Sequence, residues 1–243
     1  MKPPIVLAVG AVVLVLLVGL GAAYAYFFSG LRTTPKSLAF TSATPAAPGS
    51  PGASPVSSAG LVGNWSVGSG SQAGYRVKEQ FAGQSSQHEA VARTTSVTGG
   101  LVVQEAGSGV QATGLKFNAQ LASLQSVDQV AGFNVSQRDR IVARTLSVSQ
   151  YPEATFQAQS VNLPASLPSG STETVTVPGQ LTIHGVTKAE QVTALVKLNG
   201  SQAQINGSTT FNMTDFGISP PQVSITTVQP EVTLEFQLVL TKT

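Results

Sequence analysis

Residues 231–241, EVTLEFQLVLT, decide how the fold is read. Val232, Leu234, Phe236, Leu238 and Leu240 alternate with Thr233, Glu235, Gln237 and Val239. Successive side chains of a strand point to opposite faces, so this period of two predicts a strand with one apolar and one mainly polar face. The same pattern recurs upstream. Leu115, Phe117, Ala119 and Leu121 alternate with Lys116, Asn118 and Gln120, and Val192, Ala194, Val196 and Leu198 share one face of residues 191–198. Ala203, Ile205, Gly207, Thr209 and Phe211 repeat it more weakly, and Val175, Val177, Leu181 and Ile183 form a set interrupted by Pro178-Gly179. Asn199-Gly200 lies between two of these runs at hairpin spacing. Gly107-Ser108-Gly109 and Leu167-Pro168-Ser169-Gly170 are further breaks.

One segment lacks alternation. Ser136–Leu146, SQRDRIVARTL, offers Ser136 as an N-cap with Asp139 in the capping-box position, and Ile141, Val142 and Thr145 on a common face. It predicts one short helix among many strands. The expected fold class is all-β, an antiparallel barrel or sandwich over residues 63–243, long enough for a substantial core.

Outward from that domain the composition changes. Residues 33–62 read as a linker, since 24 of the 28 residues in Thr33–Gly60 are Pro, Ala, Ser, Thr or Gly. Such a segment buries too little apolar surface to offset its ordering entropy. Residues 1–32 contain Ile5–Phe28, 24 residues without a charge. That exceeds the roughly 20 needed to span a bilayer. It is also longer than the roughly 7–15-residue apolar core of a cleaved signal. Ala23-Tyr24-Ala25 leaves a signal-cleavage reading open. Lys2 stands on one side and Arg32 and Lys36 on the other, so flanking charge does not set the orientation. The reading is a single-pass membrane anchor at residues 5–28 with the C-terminal domain extracytoplasmic.

Composition removes several function classes. There is no cysteine, hence no disulfide, thiol nucleophile or Cys-ligated metal. Removing Lys2, Arg32 and Lys36 from 13 basic residues leaves ten against eleven acidic ones, a neutral domain and no footprint for nucleic acid. His88 and His184 stand far apart with no ligand spacing around them, so no metal site is expected. No G-x-S-x-G elbow or phosphate loop occurs. Asp215-Phe216-Gly217 copies a kinase tripeptide without the other kinase elements, and reads instead as a turn with Phe216 buried. The eleven carboxylates are scattered and aromatics are sparse, which argues against a glycosidase. An enzyme is not expected. What remains is the apolar strand faces. Ala112, Ala119, Ala158, Ala194 and Gly207 would leave room inside a barrel of about eight strands, which either fills with side chains or holds one small ligand.

A series of landmarks carries a resemblance. In order they are Trp65-Ser66-Val67, Tyr75-Arg76-Val77, Val97-Thr98-Gly99, Leu121-Ala122-Ser123-Leu124, Arg138-Asp139, YPEATF at 151–156, GQLTIHGVTK at 179–188 and Asp215-Phe216-Gly217-Ile218. The domain resembles the YceI-like family of bacterial polyisoprenoid-binding proteins over nearly all of residues 63–243. The resemblance implies an extended, lipocalin-like antiparallel barrel with a long isoprenoid or related amphiphile in an apolar cavity, and no covalent chemistry. Arg138-Asp139 would lie on the short helix. Two family positions, an Asp after W-x-V and a His before the next Ser, read here as Gly68 and Gly70, and a third, a common His, is Glu79. Recognition of a ligand's head group is therefore expected to differ.

Alternation and resemblance together give the candidate cavity-lining residues: Tyr75, Leu115, Phe117, Leu121, Phe133, Ile141, Phe156, Leu181, Ile183, Phe211, Phe216 and Phe236. No cofactor is expected beyond a bound lipid such as a polyprenyl quinone or isoprenoid, and a homodimer is compatible with the sequence. The competing expectation is a structural or adhesive extracytoplasmic β domain with a filled core and no ligand.

Overall fold

The structure is a computed structural model and describes residue 18 and residues 32–38, 58–82, 87–130, 134–223 and 226–243. Ten main strands follow in order: β1 (Gly63–Val67), β2 (Gln72–Phe81), β3 (His88–Thr94), β4 (Val97–Ala106), β5 (Gly109–Gln120), β6 (Glu153–Asn162), β7 (Thr172–Ile183), β8 (Val186–Asn199), β9 (Gln202–Asn212) and β10 (Thr226–Lys242). One helix, α1 (Ser136–Thr145), lies between β5 and β6.

All pairings are antiparallel. They run β10–β9–β8–β7–β6–β5–β4–β1 and return to β10. β1 and β2 lie along the same edge of β10, β1 against Leu240–Lys242 and β2 against residues 226–237. They are two halves of one long strand broken at Gly68–Ser71, where the Ser71 hydroxyl donates to Gly68 O (2.8 Å) and accepts from Val239 N (3.0 Å). β3 and β4 are likewise two halves of its neighbour. Counted this way, eight strands close the barrel, with β7 meeting β6 only over Gln180–Thr182.

Residues 231–241 form the body of β10, with Val232, Leu238 and Leu240 buried on the inner face. Pro178-Gly179 does not interrupt β7, which runs unbroken against β8. Pro178 lies just beyond the short β6 pairing at Gln180–Thr182, where its missing N–H costs no ladder bond. Gly179 is required by close packing, because a Cβ there would sit 2.4 Å from Phe156 Cζ and 2.6 Å from Gln157 O. The Asn199-Gly200 turn joins β8 to β9, with Gly200 at φ 61°.

α1 is capped differently from the sequence expectation. Ser136 is already helical, and Asn134 Oδ1 accepts from Ser136 N (3.1 Å) and from its hydroxyl (2.6 Å). Asp139 is therefore free to leave the capping role and accepts from Ser126 N (3.0 Å) and Oγ (2.7 Å). That pins the helix to the short strand Gln125–Ser126, which pairs with β3.

The folded unit begins before Gly63. Ser58–Leu61 forms a helical turn, Leu61 is 2% exposed, and its carbonyl accepts from Trp65 Nε1 (2.8 Å) at one end of the barrel. At the start of the expected linker, Arg32–Thr33 pairs with Val130–Gln129, while residues 39–57 lie outside the described residues. The Arg32–Thr33 main chain finds fixed partners on the barrel wall, which a Pro/Ser-rich composition does not reveal. Among the described residues no helix is long and apolar enough to cross a membrane. The expected span at residues 5–28 lies outside the described residues, Val18 excepted.

Candidate ligand cavity

Two apolar cavities follow one another inside the barrel. The larger, about 280 Å³, lies at the α1 end, and the other, about 160 Å³, at the Trp65 end. Both are lined by Ala73, Ala119, Ala154 and Leu234. Three of these four shared residues are alanines, so the side chains where the cavities adjoin are small. β10 lies along both, with Val228 and Val232 on the first, Leu234 on both, and Phe236, Leu238 and Leu240 on the second. The alternation of residues 231–241 thus writes one wall of the whole interior.

The two cavities differ in polarity. The second has only Asn118, Thr155 and Thr209 as polar lining, while the first receives Glu79 from β2 and Arg138 from α1. Arg138 Nη1 donates to Asp128 Oδ1 (2.7 Å), and Nη2 donates to Glu79 Oε1 (2.6 Å) and Asp128 Oδ2 (3.1 Å). Asp128, 2% exposed, also accepts from Val91 N (3.0 Å) and sits 2.7 Å from His88 Nε2. Buried charges persist only when paired and hydrogen-bonded in this way.

Burial alone would raise the Asp128 carboxyl, but its bonds to His88 and Arg138 hold it down to about 2. Burial raises Glu79 above the usual carboxylate range despite the facing Arg138. Burial also pushes the Tyr75 phenol up, with Arg138 opposing, so Tyr75 stays a neutral hydroxyl on the cavity wall. Glu79, His88 and Asp128 bring ligand atoms within 4.8 Å of one another. Such a set can hold a cation, yet the Arg138 guanidinium already bonds both carboxylates. A metal ion would have to displace it, so the donors present fit an internal ion pair.

Of the candidate residues, Tyr75, Leu121, Ile141, Ile183 and Phe211 line the first cavity. Leu115, Phe117, Phe156, Leu181 and Phe236 line the second. Phe133 lies outside the described residues. Phe216 lines neither cavity: it is fully buried and packs edge-on against Phe211, ring centroids 4.8 Å apart, supporting the wall from behind. His88 is buried against Asp128. Asp128 carries no local pattern in sequence. Arg138 was visible only through the Arg138-Asp139 landmark, and Glu79 only as a departure from the family.

The other landmark blocks meet elsewhere. Tyr151 stacks edge-on against His184 (5.1 Å), and a Cβ at Gly185 would fall 2.5 Å from the Tyr151 ring. His184 Nδ1 lies 3.4 Å from Phe216 O. These contacts tie β6, the β7–β8 turn and the segment after β9 together outside the cavity, while Ala154, Phe156, Leu181, Ile183 and Ile218 of the same blocks line it.

Residues 67–240 match the YceI-like domain family. The chain belongs to that family. A UPF0312 protein of Pseudomonas putida strain W619 is 35% identical over 112 residues, covering 42% of this chain and 54% of its own. A UPF0312 protein of Pseudomonas syringae pv. tomato is 34% identical over 110 residues, with the same coverage. The chain thus spans about half the length of the curated relatives it matches. Among solved structures, a polyisoprenoid binding domain from Saccharophagus degradans, implicated in plant cell wall breakdown, superposes with TM-score 0.52 at 15% identity. It covers 74% of this chain and 98% of that one, and the likeness is one of fold.

Proposed function

We propose that this YceI-like domain binds one long-chain amphiphilic lipid of isoprenoid type, with its chain in the two adjoining cavities and its polar head at the Glu79–Arg138–Tyr75 end. The observation that carries this reading is that two apolar spaces of about 280 and 160 Å³ share Ala73, Ala119, Ala154 and Leu234 as lining, so they adjoin, and only one of them has charged groups on its wall. Burying hydrocarbon stabilises by roughly 0.8 kcal/mol per CH₂, so a chain filling both cavities needs few polar contacts. The polyisoprenoid-binding description of the Saccharophagus degradans domain supports the ligand class, and a polyprenyl quinone or phenol has suitable chemistry. No covalent step is part of this reading.

Residues 5–28 are proposed as a single-pass anchor that keeps the domain on the outer side of the cytoplasmic membrane. There a carrier could take up, store or pass on such a lipid. A filled-core structural domain is the weaker alternative, because the interior holds cavities that core side chains leave empty.

The test is to purify the full chain, extract it with organic solvent, and weigh the extract and the intact complex by mass spectrometry. One apolar molecule per chain is expected, displaceable by an added polyprenyl quinone. Protein that repeatedly emerges empty and takes up no polyprenyl quinone would overturn the reading. Intact mass also separates monomer from homodimer.

A further inference from the structure

On the outer face of β2, β3 and β10, Arg76, Arg93 and Glu235 form a cluster that points away from the cavity. Charged side chains on the outside of a barrel ordinarily stand in water. Here the Arg76, Arg93 and Glu235 side chains are 8%, 16% and 4% exposed. Their arrangement is specific. Glu235 Oε2 accepts from Arg76 Nε (2.8 Å) and Oε1 from Arg93 Nε (2.9 Å), so one carboxylate orients two guanidinium groups. The outer Nη2 of each is then aimed at a main-chain carbonyl: Arg76 donates to Pro35 O (2.7 Å) and Arg93 to Lys36 O (2.6 Å). Leu38 N donates back to Glu235 Oε2 (3.2 Å), and Thr34 Oγ1 donates to Glu89 O (3.3 Å). Arg32–Thr33 completes the contact by pairing with Val130–Gln129.

We infer that this face is a docking site for an extended peptide, read through its main chain, and that residues 32–38 of the same chain are its occupant. The chemistry suits that occupant. Planar guanidinium groups held by a shared carboxylate are pre-organised donors, so little ordering is needed when a carbonyl arrives. Pro35 fixes an extended backbone and offers a carbonyl with no amide to satisfy. In these bonds the strap meets the barrel through its main chain, Thr34 Oγ1 excepted.

Docking has a consequence for the cavity. Gln129 and Val130 directly follow Asp128, the residue that holds Arg138 at the first cavity's wall. A docked strap therefore ties down the edge at Gln129–Val130, beside the carboxylate that holds Arg138 at the charged end of the first cavity. Only Ser29, Gly30 and Leu31 separate Phe28 from Arg32, roughly 10 Å of extended chain. Taken with the proposed span, which this last step rests on, a docked strap seats the barrel close to the membrane with that edge nearest the anchor.

Docking is tested on the full chain without reference to any lipid. The chain lacks cysteine, so Thr33→Cys with Gln129→Cys gives a background-free pair at directly opposed exposed positions, whose Cα separation of about 4.5–5.5 Å suits a disulfide. Under mild oxidation this pair should cross-link about tenfold faster than the mismatched pair Thr33→Cys with Glu153→Cys. Between residues 29 and 75, trypsin can cut only at Arg32 and Lys36. Cleavage at Lys36 should be slow in the full chain. In Arg93→Gln it should rise about tenfold, with faster amide exchange over residues 125–130, while circular dichroism shows an intact barrel. If Arg93→Gln does not fold, the cysteine pair still decides. Cross-linking no faster than the mismatched pair, or cleavage at Lys36 as fast as in a free peptide of residues 29–45, overturns the docking site.

Discussion

Around Leu115, Val177 and Leu238 the cavity wall is strand and the lining carries no charge. At the charged end, or mouth, around Glu79 and Arg138, helix α1 completes the wall, and ion pairs and hydrogen bonds tie it to Glu79, Asp128 and the short strand Gln125–Ser126. The strand-walled half gains its stability from buried apolar area and backbone ladders, which tolerate a single change. The mouth depends on a few buried charges whose partners come from distant parts of the chain. Damage to one partner leaves the others uncompensated. The two halves should therefore respond to different insults.

Asp128→Ala is the most severe test. It removes the carboxylate that binds Arg138, His88 and Val91 N together. Breaking a buried pair by deleting one member costs about 3–5 kcal/mol, to be read as a lowered urea midpoint. A loss under 1 kcal/mol would show that the mouth is not held by this cluster.

Ala154→Phe tests the connection between the halves. Ala154 lies beside Ala119 on the adjacent strand where the two cavities adjoin, so a phenyl group there should divide the interior. Excluding even four methylenes from the second cavity costs about 3 kcal/mol at 0.8 kcal/mol per CH₂, a loss of about a hundredfold in affinity. Short-chain prenols should bind as before. Equal losses for short and long chains would mean that the cavities do not act in series.

The same contrast explains what sequence could reveal. Alternation at residues 231–241 and 191–198 identified a strand and its inner face, because period two is a local signal that survives any tertiary context. Seven of the ten candidate residues found on the cavity wall come from such alternating runs, while Tyr75 and Phe156 come from landmark blocks and Ile141 from the helix. Phe216 misses the wall, since it sits in a turn where no period tells inside from behind. Asp128 and His88 meet across 40 positions with no pattern around either, and the Arg76–Glu235 pair spans 159. Charged residues carry no mark of burial in a sequence. Burial here comes from partners that only the fold brings near. The docked strap was hidden for a related reason: its contacts are mostly main-chain, and main chain is the same at every residue.

Acid should act on the mouth before the strand-walled half. Asp128 titrates near 2 when folded, below its ordinary 3.8. A depressed carboxylate contributes stability above its unfolded value and loses it as pH falls through the folded one. About 2 kcal/mol should thus disappear between roughly pH 4 and pH 2. Glu79 is raised, so its sign is opposite: it titrates at higher pH in the folded state than in the unfolded, and its protonation favours the folded form. Glu79→Gln should therefore leave the acid loss in place, whereas Asp128→Asn should abolish it. Denaturant titrations at several pH values distinguish the two.

The mildest test concerns which face of the strand-walled half points inward. On β8, Leu195 is exposed while Ala194 and Val196 line the second cavity. Leu195→Thr should change stability by no more than about 0.5 kcal/mol, because it replaces a solvated apolar group on an outward β face with a residue of good strand propensity. Val196→Thr has the same strand propensity but places a hydroxyl where only apolar neighbours are available. An unpaired hydroxyl there costs about 1–3 kcal/mol. The difference between these adjacent substitutions measures sidedness directly, since secondary structure, hairpin and distance from the mouth are common to both. If the two cost the same, the inner face of β8 has been misassigned. A one-residue slip in register would then exchange lining for surface along the whole strand.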